Sequence, residues 1–214
     1  MSEQMDLFQL AAPPDPPAPS ATYANLEELT ATCLTCQKCE LAATRTHVVV
    51  SRGNPQAPLM IIGEGPGQQE DETGLPFVGR AGQLLDKILA SVNLDSERDV
   101  YICNVVKCRP PGNRNPEPQE VDACKPYLLE QIRLVNPKII LLTGAVAVQA
   151  ILGEKRGITK IRGQWFTWQG YDCMPVLHPA YLLRNPSREV GSPKWLMWQD
   201  IQAVRAKLDA LTAG

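Results

Sequence analysis

The 214-residue sequence predicts an α/β protein, a three-layer αβα sandwich around a short, mainly parallel sheet of four strands. Two observations support this prediction. Four short runs rich in Ile, Val and Leu are bounded by Gly, Pro or Asn, which is typical of buried parallel strands. Segments with helical periodicity lie between these runs, and strands that alternate with helices form parallel sheets covered on both faces.

The four predicted strands are residues 59–62, 100–106, 138–143 and 174–177. The predicted helices are residues 81–92, 120–135, 144–152 and 193–211. The first of these helices is amphipathic, because Leu84, Leu85, Ile88 and Leu89 fall on one face. Pro126 lies inside the second. We expect it to kink that helix or to begin a new one, because proline lacks the amide hydrogen that a helix interior uses.

The chain divides into a short tail and one compact domain. Hydrophobic residues make up 44% of the sequence, enough to bury a full core over residues 23–214. Residues 11–22 are rich in proline and predict a semi-rigid linker, which leaves residues 1–10 as a separate peptide. No apolar run approaches the ~18–20 residues of a membrane span, and the N-terminus does not resemble a secretory leader. We therefore expect a cytoplasmic monomer.

Charge is unevenly distributed, although the net charge is only −2. Residues 1–30 contain five acids and no Lys or Arg, whereas residues 155–194 contain seven Lys and Arg against two acids. A local positive surface can bind an anionic polymer in spite of an acidic total. The alternative is a charged face that is simply solvated.

Seven cysteines in a chain without a predicted leader indicate a metal site more than disulfides. Four of them form two pairs that are distant in sequence: Cys36, Cys39, Cys108 and Cys124. Four thiolates suit either zinc or an iron–sulfur cluster, and spacing does not choose between them. Cys33 forms a second CxxC with Cys36, so the first pair is ambiguous. One CxxC with two unrelated buried cysteines is the remaining alternative.

Two segments place polar residues where strands are predicted to end, which is where open α/β sheets bind ligands. One is Gly-Glu-Gly-Pro-Gly at 63–67, and the other is His-Pro-Ala-Tyr-Leu-Leu-Arg-Asn at 178–185. Asn104 ends a predicted strand, and its amide can donate and accept hydrogen bonds together, unless it only caps a turn. Phe77 lies in a loop flanked by Gly and Pro, where it either stacks on a ligand or packs in the core.

These residues resemble the family 4 uracil-DNA glycosylases, which carry a [4Fe–4S] cluster. The resemblance runs from about Cys36 to the C-terminus. It is concentrated in residues 63–86, 100–116, 157–166 and 178–194. It implies that the metal centre is an iron–sulfur cluster held by Cys36, Cys39, Cys108 and Cys124.

The resemblance implies a monofunctional glycosylase that flips deoxyuridine out of DNA and hydrolyses its N-glycosidic bond. The products are uracil and an abasic site, as in base-excision repair. Asn104 would match uracil O4 and N3–H, Phe77 would stack on the base, and Gly65 would lie against it. His178 would stabilise negative charge at uracil O2.

The group that activates water is the open point in this resemblance. Family 1 enzymes have an Asp at the position of Gly65, where this chain has no carboxylate. Glu64 and Glu70 are the carboxylates near the first loop, and either could position the water or stabilise the cation-like sugar. By analogy with the family, Glu70 has an alternative role, in which it excludes the thymine methyl group from the pocket. No lysine occurs in the matched pocket loops, which argues against a lyase.

Leu182, Leu183 and Arg184 follow His178, and we expect them to fill the gap that the extruded base leaves in DNA. A competing hypothesis is a non-catalytic, metal-stabilised DNA-binding module. Such a module needs the basic surface and the cysteines but neither Asn104 nor His178. An alkali-cleavage assay on uracil-containing DNA separates the two.

The N-terminal peptide resembles the pentapeptide that binds the bacterial sliding clamp. Its residues are Gln4, Met5, Asp6, Leu7 and Phe8. Leu7 and Phe8 would enter an apolar pocket of the clamp, while the linker leaves the catalytic domain free to search DNA. Five-residue motifs also arise by chance, so a tail with incidental apolar residues is the alternative.

Overall fold

The computed structural model describes residues 23–212, which form one six-stranded sheet. The strands are β1 (Arg52–Gly53), β2 (Leu59–Gly63), β3 (Val100–Asn104), β4 (Ile139–Thr143), β5 (Phe166–Trp168) and β6 (Tyr171–Val176). Their order across the sheet is β1-β3-β2-β4-β6-β5. The four central strands are parallel, and the edge strands β1 and β5 are antiparallel to their neighbours.

Helices connect these strands. They are α1 (Leu26–Leu34), α2 (Gln68–Thr73), α3 (Arg80–Ala90), α4 (Pro118–Val135), α5 (Ala145–Leu152), α6 (Ile158–Ile161), α7 (Pro179–Arg184) and α8 (Pro193–Thr212). Short 3₁₀ turns lie at Glu40–Ala43 and Pro111–Asn113. None of the helices within residues 23–212 has the length and apolar character needed to cross a lipid bilayer.

Alternate residues of each central strand pack into two separate cores. In β2, Met60 and Ile62 face one core, which α1, α4 and α5 complete. Leu59 and Ile61 face the other core, which α3, α7 and α8 complete. Strands buried on both faces have continuous apolar sequences, as these do. The predicted three-layer αβα sandwich is therefore confirmed.

The order of the strands defines where a ligand fits. The chain passes from β2 to β3 on one side and then crosses to β4 on the other side of β2. Loops that leave two such strands in opposite directions open a crevice at the carboxyl end of the sheet. The segments that follow β2, β3 and β6 all lie at this end.

One detail of the prediction is wrong, and a second is decided by the structure. The sheet has six strands rather than four, because the edge strands β1 and β5 contain only two and three residues. In addition, α4 continues through Pro126, so of the two predicted alternatives no new helix begins there. Cys124, Tyr127 and Leu128 are buried on either side of the proline, and this packing offsets the missing backbone hydrogen bond. The predicted linker and N-terminal peptide lie outside the described residues.

Candidate active site and cysteine cluster

A cavity of about 470 Å³ lies at the carboxyl end of the sheet. The loop after β2, the loop after β3 and the first turn of α7 form its walls. Of the residues predicted from the sequence, six line it directly: Glu64, Gly65, Glu70, Phe77, His178 and Arg184. Segments separated by more than 100 residues therefore meet at one pocket.

Asn104 does not line this cavity; it lies beside Gly63 in the parallel pair of β2 and β3, and Gly63 in turn adjoins the ring of Phe77, which does line it. Its side chain is 2% exposed, and its Oδ1 has no hydrogen-bond partner among the described residues. A Cβ on Gly63 would overlap Asn104 Oδ1 and would lie 2.5 Å from Phe77 Cζ. Gly63 therefore leaves room for an amide and an aromatic ring to approach one another. A buried acceptor without a partner is costly, which indicates that a ligand completes it.

Phe77 is held against the pocket by an unusual backbone conformation. Its φ is 55°, in the left-handed region that residues other than glycine seldom adopt. Gly82 permits this conformation, because a Cβ there would overlap the backbone of Phe77. The ring of Phe77 stacks against the His178 imidazole with centroids 5.9 Å apart and planes inclined by 28°. The two rings thus form one aromatic wall.

His178 is positioned by the start of α7. The Ala180 N–H donates a hydrogen bond to His178 Nδ1 at 3.1 Å. Since Nδ1 accepts this bond, a neutral imidazole must have its proton on Nε2. The pKa of His178 is lowered to about 4, mainly by burial and also by the charge of Arg184, while Glu70 opposes both effects. The side chain is therefore a neutral hydrogen-bond donor at the edge of the pocket.

We expect the His178 imidazole to titrate near pH 4 in the folded protein, below its ordinary value of 6.5. Between these values the unfolded chain binds a proton that the folded chain does not. The free energy of unfolding therefore falls as the pH is lowered through this range. Imidazole NMR signals, assigned with a His178→Gln variant, measure this pKa. A His178 signal that titrates at pH 6.5 contradicts the prediction.

The two candidate carboxylates have different environments. Glu70 accepts hydrogen bonds from three backbone amides, those of Gly67, Val78 and Gly79. It thereby ties the first loop to the start of α3. Glu64 is half-buried and makes no side-chain hydrogen bond within residues 23–212. Burial raises the pKa of its carboxyl group. Glu64 is thus the carboxylate with free oxygen atoms in the pocket.

Gly65 completes the first loop. A Cβ at this position would lie 2.7 Å from Val106 Cγ2, in the segment that follows β3. The Val106 N–H donates to the Glu64 carbonyl at 3.1 Å, which fixes the two loops to one another. A side chain at Gly65 would separate them. Close contact with the Val106 side chain, and not only the space for a ligand, favours glycine here.

Several lining residues had no role predicted from the sequence. They are Pro110, Asn113, Arg114, Asn115 and Tyr181. Arg114 forms a two-pronged ion pair with Glu120, with nitrogen–oxygen distances of 2.9 and 2.7 Å, and so anchors the loop after β3 to α4. The only sign of this part of the pocket in the sequence was the clustering of Pro, Gly and Asn soon after a predicted strand. It indicates a shaped loop without showing which side chains face the pocket.

The predicted DNA wedge is corrected by the structure. Leu182 is 1% exposed and packs in the core that α3, α7 and α8 share, so it cannot enter DNA. The neighbouring Leu183 is half-buried, and Arg184 is exposed. In a single helical turn, adjacent residues point in different directions. Leu183 and Arg184 therefore stay candidates for contact with DNA, whereas Leu182 does not.

The basic stretch is only partly available for an anionic partner. Arg156 pairs with Glu154, and Arg162 pairs with Asp200 within the fold. No other Lys or Arg of this stretch forms an ion pair within residues 23–212, although Asp172 pairs with Lys207. The remaining five side chains are free of such pairs: Lys155, Lys160, Arg184, Arg188 and Lys194.

Five cysteines surround a small buried cavity between α1, the segment after β3, and α4. They are Cys33, Cys36, Cys39, Cys108 and Cys124. The Arg45 guanidinium donates to Cys108 Sγ at 3.4 Å, and the Lys107 N–H donates to Cys124 Sγ at 3.3 Å. The fold therefore brings both predicted pairs together, and Cys33 with them.

The residues at this cavity suit a thiolate-bound metal centre. Thiols line it without any carboxylate or imidazole, and N–H groups already point at two sulfurs, as they do around iron–sulfur clusters. No three Cys, His, Asp or Glu side chains in the described part of the chain are arranged to hold one metal ion. The chemical composition of the cavity, and not a preformed geometry for a single ion, is what fits the iron–sulfur cluster that the resemblance implies.

The fold and the pocket together define a class of protein. An α/β sandwich whose pocket joins an imidazole and an aromatic ring at the sheet's carboxyl edge, with a buried amide close to that ring, suits a small planar ligand with hydrogen-bonding edges. The chain belongs to the uracil DNA glycosylase superfamily, because the model of that family matches residues 50–202.

The more similar relatives narrow this assignment. The type-4 uracil-DNA glycosylase of Thermotoga maritima is 47% identical over 168 residues, which cover 78% of this chain and 85% of the relative. That of Archaeoglobus fulgidus is 40% identical over 155 residues, or 69% and 77% of the two chains. A type-5 enzyme of Pyrobaculum aerophilum is 33% identical over 153 residues, or 64% and 67%. The resemblance to the type-4 family is therefore confirmed.

Proposed function

We propose that the chain is a monofunctional uracil-DNA glycosylase that acts in base-excision repair. Its substrate is DNA that contains deoxyuridine, and its products are free uracil and an abasic site. Membership of the family and the identity to type-4 enzymes support this activity. The observation that favours it most directly is the buried Oδ1 of Asn104, which has no partner among the described residues and lies next to Gly63, as does the pocket-lining ring of Phe77.

The amide of Asn104 is proposed to identify the base. In uracil, N3–H is a donor and O4 an acceptor, so Asn104 Oδ1 accepts from N3–H while its NH₂ group donates to O4. Cytosine presents the opposite polarity at both positions. A mismatched buried polar pair gives discrimination of order 10⁴. Phe77 stacks on the extruded ring, and Gly65 lets the first loop approach it closely.

His178 is proposed to stabilise the leaving group. As the glycosidic bond breaks, negative charge accumulates on uracil O2. A neutral imidazole with its proton on Nε2 can donate a hydrogen bond to that oxygen without a change of protonation state. The bond from Ala180 to Nδ1 fixes the ring before the substrate arrives. A donor fixed in this way contributes roughly 3–4 kcal/mol to lowering the barrier.

Glu64 is proposed to position the attacking water. Its oxygen atoms are free within residues 23–212, whereas those of Glu70 are engaged by the loop backbone. A carboxylate beside the sugar also stabilises the positive charge that develops there. We assign Glu70 the supporting role of shaping the loop and the wall near C5 of the base. Leu183 and Arg184 contact the DNA around the gap.

The activity is tested on an oligonucleotide with one deoxyuridine. Treatment with the protein and then alkali is expected to cut the strand at that position. No cut is expected without alkali, nor with thymidine in place of deoxyuridine. Binding without any alkali-sensitive site would instead support the non-catalytic DNA-binding module, and would overturn the enzymatic proposal.

We further propose that the cysteine cavity holds a [4Fe–4S] cluster bound by Cys36, Cys39, Cys108 and Cys124. Hydrolysis needs no electron transfer, so the cluster would supply structure, joining α1 and α4 to the segment after β3. That segment begins at the end of the strand that presents Asn104. The cluster is therefore proposed to stabilise one wall of the pocket.

Replacement of Cys108 by Ala is expected to remove the visible absorbance, iron and acid-labile sulfide of the purified protein. Cys173→Ala is the matched control, because Cys173 is buried in β6 and does not line the cavity. Cys33→Ala is expected to retain the cluster, since we assign the first pair to Cys36 and Cys39. A colourless wild-type protein that contains zinc contradicts the assignment.

The domain arrangement is also a proposal. Residues 23–214 form the glycosylase domain, residues 11–22 the linker, and residues 1–10 a peptide that binds the sliding clamp. Bacterial cells keep clamp and DNA in the cytoplasm, so a cytoplasmic site of action follows.

The double change Leu7→Ala and Phe8→Ala is expected to abolish capture of the full chain by an immobilised bacterial clamp. Excision from short oligonucleotides is expected to stay unchanged. Leu10→Ala is the control, since Leu10 lies just outside the motif. Clamp capture that survives the double change contradicts this role.

A further inference from the structure

A second large cavity, of about 560 Å³, lies between α3 and α8 and is separate from the pocket described above. Its apolar lining includes Leu84 and Ile88 of α3 and Trp195 and Trp198 of α8. Trp198 is 47% exposed, which is unusual for so large an apolar side chain. We call this cavity the tryptophan groove.

Three basic side chains also line the tryptophan groove: Lys87, Arg188 and Lys194. None of them forms an ion pair within residues 23–212, and no carboxylate lines the groove. Indole rings together with unpaired cations are suited to a partner that is both anionic and composed of flat rings. Single-stranded nucleic acid has this chemistry, since its bases stack on aromatic side chains and its phosphates pair with basic ones.

Two helices contribute residues to both the tryptophan groove and the active-site pocket. In α3, Ala81 lines the pocket and Ile88 lines the groove. These positions lie about 10 Å apart along the helix axis. In α7, Tyr181 faces the pocket and Leu182 faces the groove.

We propose that the tryptophan groove binds the DNA strand that flanks the target deoxyuridine. An unstacked base a few nucleotides from the deoxyuridine lies on Trp198, and Lys87, Arg188 and Lys194 pair with the adjacent phosphates. This inference rests on the proposed function, because that function brings DNA across α7. The acidic N-terminal peptide of this chain is the competing occupant.

The test compares kcat/KM on three single-stranded substrates. Two have about six nucleotides on one side of the deoxyuridine only, either 5′ or 3′, and the third is a trinucleotide with deoxyuridine at its centre. Trp198→Ala is expected to lower kcat/KM about tenfold for one of the two flanked substrates, the loss typical of one stacked base. For the trinucleotide, the kcat/KM of uracil excision is expected to equal that of the parent protein. Trp165→Ala is the matched control, because Trp165 is 36% exposed and lies outside the groove.

Salt dependence provides a second readout. Lys87→Ala is expected to reduce the slope of log kcat/KM against log salt by about 0.7 on the same flanked substrate, as for one phosphate contact to a single strand. Lys138→Ala is the control, since Lys138 is exposed at the opposite end of the sheet, where β4 begins.

Equal behaviour of the Trp198 and Trp165 variants on both flanked substrates overturns the proposal. A second outcome also overturns it. If replacement of Leu7 and Phe8 changes the fluorescence of Trp198 but addition of DNA does not, the groove holds the N-terminal peptide instead. These outcomes differ from a failure of the proposed function, in which the parent protein does not excise uracil from any substrate.

Discussion

Replacement of Asn104 by Ala is expected to lower kcat/KM for uracil excision by about 10³–10⁴-fold. The amide is the group proposed to match both N3–H and O4 of the base, and its Oδ1 has no hydrogen-bond partner among the described residues. Loss of the side chain leaves these two polar atoms of the extruded uracil without partners in a water-poor pocket. Single-turnover excision from a deoxyuridine oligonucleotide measures the effect, and thermal unfolding establishes that the variant folds.

Two further variants distinguish base recognition from a general loss of packing. Asn104→Asp keeps the shape but removes the NH₂ donor, so excision of uracil is expected to fall. A buried protonated carboxyl also matches N3 and the amino group of cytosine, so slow excision of cytosine is expected. Gly63→Ala keeps Asn104 but introduces a Cβ that overlaps its Oδ1, and a loss of the same kind is expected. Near-parental activity of Asn104→Ala would exclude the proposed recognition.

The sequence was sufficient to predict the central sheet, because each parallel strand is a short run of Ile, Val and Leu buried on both faces. The edge strands were missed for two reasons. β1 has two residues, too few to show a period. β5 was detectable in principle, since Gln169 and Gly170 both have positive φ and form the two-residue turn that joins it to β6. A Gln-Gly pair between aromatic residues is a weaker hairpin signal than Asn-Gly.

The sequence predicts which residues come close together where they stand at the ends of parallel strands. Asn104 and His178 stand at or just after strand ends, and parallel topology brings such ends together. The orientation of short helices was not predictable in this way. Leu182 belongs to the core, while Tyr181 faces the pocket, and the sequence of α7 alone does not show which side packs. Likewise, the left-handed φ of Phe77 depends on contact with Gly82, which tertiary structure determines.

Lys107 links the two sites of the molecule, although it lines no part of the main pocket. Its side chain is 1% exposed, and Nζ donates to the Asn104 carbonyl at 2.6 Å and to Gln131 Oε1 at 2.5 Å. Gln131 in turn donates to the Tyr101 hydroxyl and to the Val50 carbonyl. The Lys107 N–H meanwhile donates to Cys124 Sγ. Lys107 therefore contacts both the backbone of Asn104, which is proposed to recognise the base, and Cys124, which is a proposed cluster ligand.

Replacement of Lys107 by Met is expected to lower both the free energy of unfolding and kcat/KM. The apolar side chain fills similar space but leaves the Asn104 carbonyl and Gln131 Oε1 without their donor, at about 1–3 kcal/mol for each buried acceptor. Denaturant unfolding measures the first effect and single-turnover excision the second. Lys125→Met is the control, since Lys125 is a half-buried lysine of α4 beside Cys124 that has no such partners. A Lys107 variant as stable and active as this control would show that the buried network does not position Asn104, and that the strand itself suffices.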